Sequence, residues 1–295
     1  MAEFMRDQAE GLRRLFANDF VRAIAVAGGK GGIGKTHVVV NLAIAMANRG
    51  RRVLVLDGQF GPGGLEGALG IKPRYNLSHV IRGERALEEV LIQGPGGIAI
   101  IPAALGLPAL AGLDAVAQDN LVHSFTRLSG SFDVMLMDAG SDSRQASFSL
   151  ASQDVIIVVS GLHDSITDAY GLIKSLSRNF AKRHYHILVN KVDSFHEARA
   201  VFENMSQVAG RFLEVSLDFM GYVPYDDKLK QSAMLCRPVT EAFPSADASL
   251  AFRELAESVE QWPFPSDNDG RIESFMLRLI IGSRLSREVV NSSLN

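Results

Sequence analysis

Short runs of β-branched and aliphatic residues alternate along this chain with segments whose apolar positions recur every three or four residues. The runs are Ala23–Val26, Val53–Leu56, Ile98–Ile101, Val134–Met137, Val155–Val159 and His186–Val189. Each is continuously apolar, as a strand buried on both faces must be, and helices between such strands imply right-handed crossovers. The expected fold is therefore a single doubly wound α/β sandwich on a mostly parallel sheet, with ligand sites at the carboxyl ends of its strands. The most apolar window, Ile98–Leu113, is interrupted by Pro102 and Pro108. It falls short of the roughly 20 residues a membrane span needs and reads as buried strand and loop.

The pattern changes at both ends. Met5, Ala9, Leu12 and Phe16 recur at helical spacing with Asp7, Glu10, Arg13 and Arg14 elsewhere on the turn, which predicts a short amphipathic helix within residues 1–20. Its apolar side would dock on its own domain or on a partner. Ile272, Phe275, Met276, Leu279 and Ile280 form a second apolar face with Arg271, Arg278, Arg284 and Arg287 around it. A linker containing Pro263, Pro265 and Asp267–Gly270 precedes it. Such a helix suits an anionic membrane surface, and it suits equally a return onto its own domain. The division is then 1–20, a central domain 21–262, and a linker with C-terminal helix 263–295.

Composition removes several function classes. A hydrophobic content of 47% over 295 residues can fill the core of one large α/β domain. The net charge of −3 argues against a protein that coats nucleic acid. With Cys236 alone there is no disulfide framework and no paired-cysteine metal or iron–sulfur site within one chain, which fits a reducing cytoplasm. Met1–Phe16 mixes charge with apolar residues and does not read as a signal peptide.

The chemistry concentrates after the first strand. Gly29-Lys30-Gly31-Gly32-Ile33-Gly34-Lys35-Thr36 has the form G-x-x-x-x-G-K-T between a strand and a helix. The glycines let successive N–H groups curl around phosphate oxygens, the helix N-terminus adds partial positive charge, Lys35 reaches the β/γ-phosphates, and Thr36 offers its hydroxyl to Mg²⁺. Three further strands end in polar residues: Asp57, Asp138 and Asn190.

The second lysine, Lys30, makes the loop resemble the deviant Walker loop of the MinD/ParA ATPases. That resemblance implies a P-loop fold binding ATP or ADP with Mg²⁺, and a homodimer in which Lys30 touches the partner's nucleotide. Residues 29–36 would cradle the nucleotide, with Lys30 and Lys35 among the catalytic residues. Phe132–Asp138 resembles Walker B, so Asp138 joins Thr36 and Asp57 as the metal residues. Asn190 matches the adenine-reading asparagine, and Gly221–Asp226, with Pro224, the loop that closes over the base. His163 reads as a loop residue. Ser165–Lys174 resembles a family helix for which Ser165 or Asp164 would be the N-cap.

One position departs from the family. Where its D-x-D-x-G switch carries the second aspartate, this chain has Gln59, leaving two readings: a slow ATPase in which the amide orients water, or a chain that binds ATP and scarcely cleaves it. Asp7–Arg13 and Cys236–Pro244 are similar to segments of the FlhG flagellar regulators. This branch implies an FlhF-type GTPase bound through the Asp7–Leu15 segment, a flagellar transcription activator of the FleQ type, and reversible attachment to the inner face of the cell membrane. The other readings are a pseudo-ATPase and a ParA-type partition protein; the acidic balance argues against direct DNA binding. A ligase on the same scaffold would need a substrate-binding insertion that the chain lacks.

Overall fold

The computed structural model describes residues 20–29, 31–59, 61, 63–140, 144–263 and 270–293. The N-terminal helix expected within residues 1–20, the second loop lysine Lys30, and linker residues 264–269 lie outside them.

Eight strands form one sheet: β1 (Arg22–Ala27), β2 (Val53–Asp57), β3 (Ile92–Gln93), β4 (Ala99–Pro102), β5 (Val134–Asp138), β6 (Asp154–Val159), β7 (His184–Val192) and β8 (Ser216–Pro224). Their order is β3-β4-β2-β5-β1-β6-β7-β8, parallel throughout except for the short β3 on β4. Among the described residues, the helices of eight or more residues are α1 (Lys35–Asn48), α2 (Ala115–Thr126), α3 (Arg144–Ala151), α4 (His163–Phe180), α5 (Phe195–Phe212), α6 (Asp227–Met234), α7 (Asp247–Glu260) and α8 (Ile272–Ser293).

The pleat divides the core in two. Ile24, Val26, Val55 and Leu136 face α1 and α7, while Ala23, Leu54, Met135 and Ile157 face residues from α2, α3, α4, α5 and α8. With both faces covered, the central strands have no place for polar alternation, which is why they read as continuous apolar runs.

Three expectations are corrected. β8 was not among the predicted strands, and Gly221–Pro224, expected as loop, complete it; only Tyr225 and Asp226 lie beyond. Its sequence hides it because an edge strand can expose Ser216 and Asp218, and a bulge at Met220 shifts its register on β7. Residues Leu107–Leu110 within the Ile98–Leu113 window form a short helix. And α4 begins at His163, a helical residue and not the loop residue expected, with Leu162 as N-cap; Ser165 Oγ instead accepts a hydrogen bond from Ser160 N at 3.0 Å, which ties the end of β6 to the helix.

The C-terminal helix α8 lies against its own domain. Ile272, Phe275, Met276, Leu279 and Ile280 are buried against the α2, α3 and Leu107–Leu110 side of the molecule. At the α3 crossing, a Cβ on Gly282 would sit 3.3 Å from Ser147 Cα, so glycine permits the close approach. Arg278 Nε donates to Ala151 O at 3.0 Å and Arg284 Nη2 to Leu113 O at 3.0 Å, so two of the arginines expected to ring the helix bond its own domain. Leu277, Ile281 and Leu285 form an exposed stripe on the other side. Among the described residues no helix is long and apolar enough to cross a membrane.

Candidate nucleotide site

β1 runs directly into the glycine loop, and α1 starts at Lys35, so the loop's N–H groups and the helix N-terminus face the same space. Gly34 N-caps α1 with φ of +95°, and a Cβ there would lie 2.5 Å from Asn190 Nδ2; a side chain is excluded on both counts. At Gly29 a Cβ would lie 2.2 Å from Asp168 Cβ, because the loop is pressed against α4.

Strand register assembles the acidic pair. Asp138 is level with Val26 on one side and with Asp57 on the other, so the carboxyl ends of β1, β5 and β2 meet beneath the loop. Asp138 is fully buried. Thr36 Oγ1 donates to its Oδ2 at 2.5 Å, and Gly140 N donates to its Oδ1 at 3.3 Å. Thr36 Oγ1 also lies 3.1 Å from Gly63 O, which draws the switch segment to the loop. Asp57 accepts from Gln59 N at 3.0 Å and from Leu65 N at 3.1 Å, so its carboxylate shapes the backbone around Gln59.

Burial dominates the electrostatics. It lifts the Asp57 carboxyl to about 7, with the neighbouring Asp138 charge acting the same way. Burial also raises Asp138, against the pull of the Thr36 hydroxyl and Lys35. Lys35 is lowered by its own burial, and Asp138 opposes that shift. Two carboxylates and a hydroxyl gathered in a dry place are hard oxygen donors of the kind Mg²⁺ takes, and a divalent cation would relieve the crowding of negative charge.

On the far side, Asn190 Nδ2 donates to Ile33 O at 2.7 Å, and among the described residues its buried Oδ1 has no hydrogen-bond partner. A buried acceptor of this kind costs free energy until something donates to it. Lys191 was not singled out from sequence, although it follows Asn190 directly. It adopts φ of +63°, which aims its Nζ at Gly32 O, 2.7 Å away, and it packs the loop from outside. The φ itself leaves no mark in the sequence.

These parts enclose a cleft of about 600 Å³, an ordinary size for a small-ligand site. Gly31, Gly32, Gly34, Lys35 and Thr36 line one wall, Gln59 and Gly63 another, and Asn190, Pro224 and Tyr225 a third. Ile33 is buried behind the loop, and its carbonyl holds Asn190. Asp57 and Asp138 lie nearly or wholly out of solvent beneath.

Comparison with known proteins agrees with this geometry. The profile of the CobQ/CobB/MinD/ParA nucleotide binding domain matches residues 24–238. The chain is 42% identical over 262 residues to the antiactivator FleN of Pseudomonas aeruginosa, covering 88% of this chain and 94% of that protein. It is 32% identical over 212 residues to the flagellum site-determining protein YlxH of Helicobacter pylori, covering 70% of this chain and 71% of that protein. The solved MinD cell division protein of Aquifex aeolicus superposes with a TM-score of 0.64 at 25% identity, covering 83% of this chain and 99% of that one. With a glycine loop, a buried carboxylate pair and an asparagine assembled on this sheet, the chain belongs to the CobQ/CobB/MinD/ParA family of nucleotide-binding proteins, and its likeness to FleN extends over most of its length.

Proposed function

We propose that this chain is an ATP-controlled dimerising switch that regulates flagellar number or placement. The observation that carries the nucleotide half is the Oδ1 of Asn190, which among the described residues is buried without a hydrogen-bond partner in the wall of a cleft that also holds Lys35 and Thr36, with Asp138 bonded to Thr36 beneath. An adenine amino group supplies the missing donor. Thr36, Asp57 and Asp138 would hold Mg²⁺, whose charge neutralises the β/γ-phosphate oxygens. Lys35 reaches those oxygens from the loop, while Gln59, fixed by the Asp57 hydrogen bond to its backbone, orients water through its amide.

The flagellar half rests on likeness to proteins named FleN and YlxH. On this reading residues Asp7–Leu15 engage an FlhF-type GTPase, a FleQ-type activator is held inactive, and Lys30 completes the nucleotide site of a second copy. In one nucleotide state α8 stays packed; in the other it meets anionic lipid at the inner face of the membrane, where the exposed Leu277, Ile281 and Leu285 stripe gives it a first contact.

Light scattering of the full chain tests the switch. ATP with Mg²⁺ should double the mass, ADP should not, and Lys30→Ala should stay single. A native chain that remains monomeric in saturating ATP overturns it. A second reading, an interaction protein that binds ATP without turnover, is favoured by Gln59 in the switch and would leave dimerisation intact with no phosphate released.

A further inference from the structure

The geometry points to a second site, for a first-row divalent cation of the zinc class, at the opposite end of the sheet from the nucleotide cleft. His184 and His186 project from the same face of β7, and Asp218 stands directly across from His186 on β8. One ligand atom from each of the three lies within 4.8 Å of the others. His184 begins β7, and Asn190 is six residues further on, so the cluster is about 20 Å from the base-reading asparagine at a strand's rise per residue. It cannot share the nucleotide's Mg²⁺.

Two independent features mark this as more than a surface ion pair. The first is His186 itself: the residue is only 6% exposed, and among the described residues its Nε2 has no hydrogen-bond partner. The nearest carboxylate oxygen is Asp154 Oδ1, an ion-pair neighbour at 3.5 Å, while Arg22 holds the other oxygen, Oδ2, at 2.9 Å. Nε2 thus has a long ion-pair contact but no hydrogen bond, and a buried imidazole so placed gains from a closer partner. The second is that the cluster opens on a cleft of about 420 Å³ bounded by Met220, Ser258 and Trp262, which leaves room for an ion with water in its remaining positions.

The donor set selects the ion. Two imidazoles and a carboxylate suit Zn²⁺, Ni²⁺ or Co²⁺, while Mg²⁺ and Ca²⁺ want oxygen throughout. A tetrahedral ion with bonds of about 2.1 Å needs its ligand atoms roughly 3.4 Å apart. His184 Nε2 and Asp218 Oδ2 are now hydrogen-bonded at 2.7 Å and would have to part slightly. Both side chains are about half exposed and free to rotate by that amount, whereas His186 is held in place by stacking on Trp262, with centroids 3.7 Å apart and planes 7° from parallel. An ion here would join β7 to β8 and brace the Trp262 turn that leaves α7.

That stacking also supplies the readout, since Trp262 is the chain's only tryptophan. Titrating the full chain with Ni²⁺ should quench its fluorescence saturably, one ion per chain. Zn²⁺ should compete and restore the emission, and Mg²⁺ should have no effect. His184→Gln and Asp218→Asn, both at exposed positions, should each weaken Ni²⁺ at least tenfold while the circular dichroism stays native. Lys35→Ala should leave the titration unchanged. Absence of saturable quenching, or the same affinity in the His184→Gln/Asp218→Asn double variant, overturns the proposal.

Discussion

Thr36 Oγ1 donates a 2.5 Å hydrogen bond to Asp138 Oδ2 across 102 residues of sequence, and this contact joins the glycine loop to the carboxyl end of β5. A hydrogen bond to a charged partner contributes about 1.5–3 kcal/mol. Thr36→Val keeps the shape and removes the hydroxyl, leaving Asp138 one donor short. Urea unfolding should show a loss of that size, and calorimetry should show Mg²⁺-dependent nucleotide affinity falling about 10- to 100-fold. A valine variant matching the native chain in both measurements would remove Thr36 from the site.

Gln59 lines the cleft, and its backbone N–H is held by Asp57. If its amide positions water, Gln59→Ala should abolish a measurable rate of phosphate release. If the native chain scarcely turns over, Gln59→Asp should gain rate by restoring a carboxylate at that place. Steady-state phosphate assays on the three proteins separate the outcomes, and equal rates in all three would show that the side chain takes no part.

Asn190 both holds Ile33 O and presents the unpartnered Oδ1. Asn190→Ala should weaken ATP by about 1–3 kcal/mol, the scale of a lost hydrogen bond in a buried site, and narrow the preference for ATP over GTP. Competition binding with the two nucleotides checks this. An unchanged ATP/GTP ratio would mean that Asn190 serves only the loop.

Asp133 accepts from Arg52 N at 2.8 Å and from Arg52 Nη2 at 2.6 Å, which ties the starts of β5 and β2. Burial pushes its carboxyl up, but the Arg52 hydrogen bonds and charge outweigh burial and hold it below the usual carboxylate range. A depressed folded value means the stabilisation is complete above the unfolded value of about 3.9 and fades as pH falls through the lower folded value. Asp133→Asn should therefore cost about 1 kcal/mol at pH 6, a small figure because solvent reaches the pair, and the gap should close as pH falls below the folded value. A gap independent of pH in thermal melts would refute the assignment.

Phe275 of α8 is 1% exposed, and Leu277, two residues on, is 47% exposed. Phe275→Ala should destabilise the chain by about 3–5 kcal/mol. Leu277→Ala should stay within about 0.5 kcal/mol. Denaturant unfolding compares them, and similar small effects from both would mean that α8 does not remain docked in solution. Vesicle flotation of the Leu277→Glu variant then tests whether the exposed stripe carries any lipid contact.

What could be read from the chain is what neighbours along it decide. Continuous apolar runs gave six of the eight strands, because a strand covered on both faces tolerates little polar content. The G-x-x-x-x-G-K-T string gave the loop, because backbone curvature, helix start and lysine reach are all set within eight residues. The folded molecule decided the rest, since it depends on what meets through space. β5 lies between β1 and β2, and only that order puts Asp138 beside Thr36 and Asp57. The choice between membrane and own domain for α8 was open from its arginines and apolar face, and packing against α2 and α3 resolves it for this state. β8 is silent in the sequence because an edge strand can carry polar residues on an open side, and so is the pairing of Asp218 and His186 across two strands. Periodicity encodes which way a segment faces. Which segment it faces is settled by closing the core, where chain separation no longer counts.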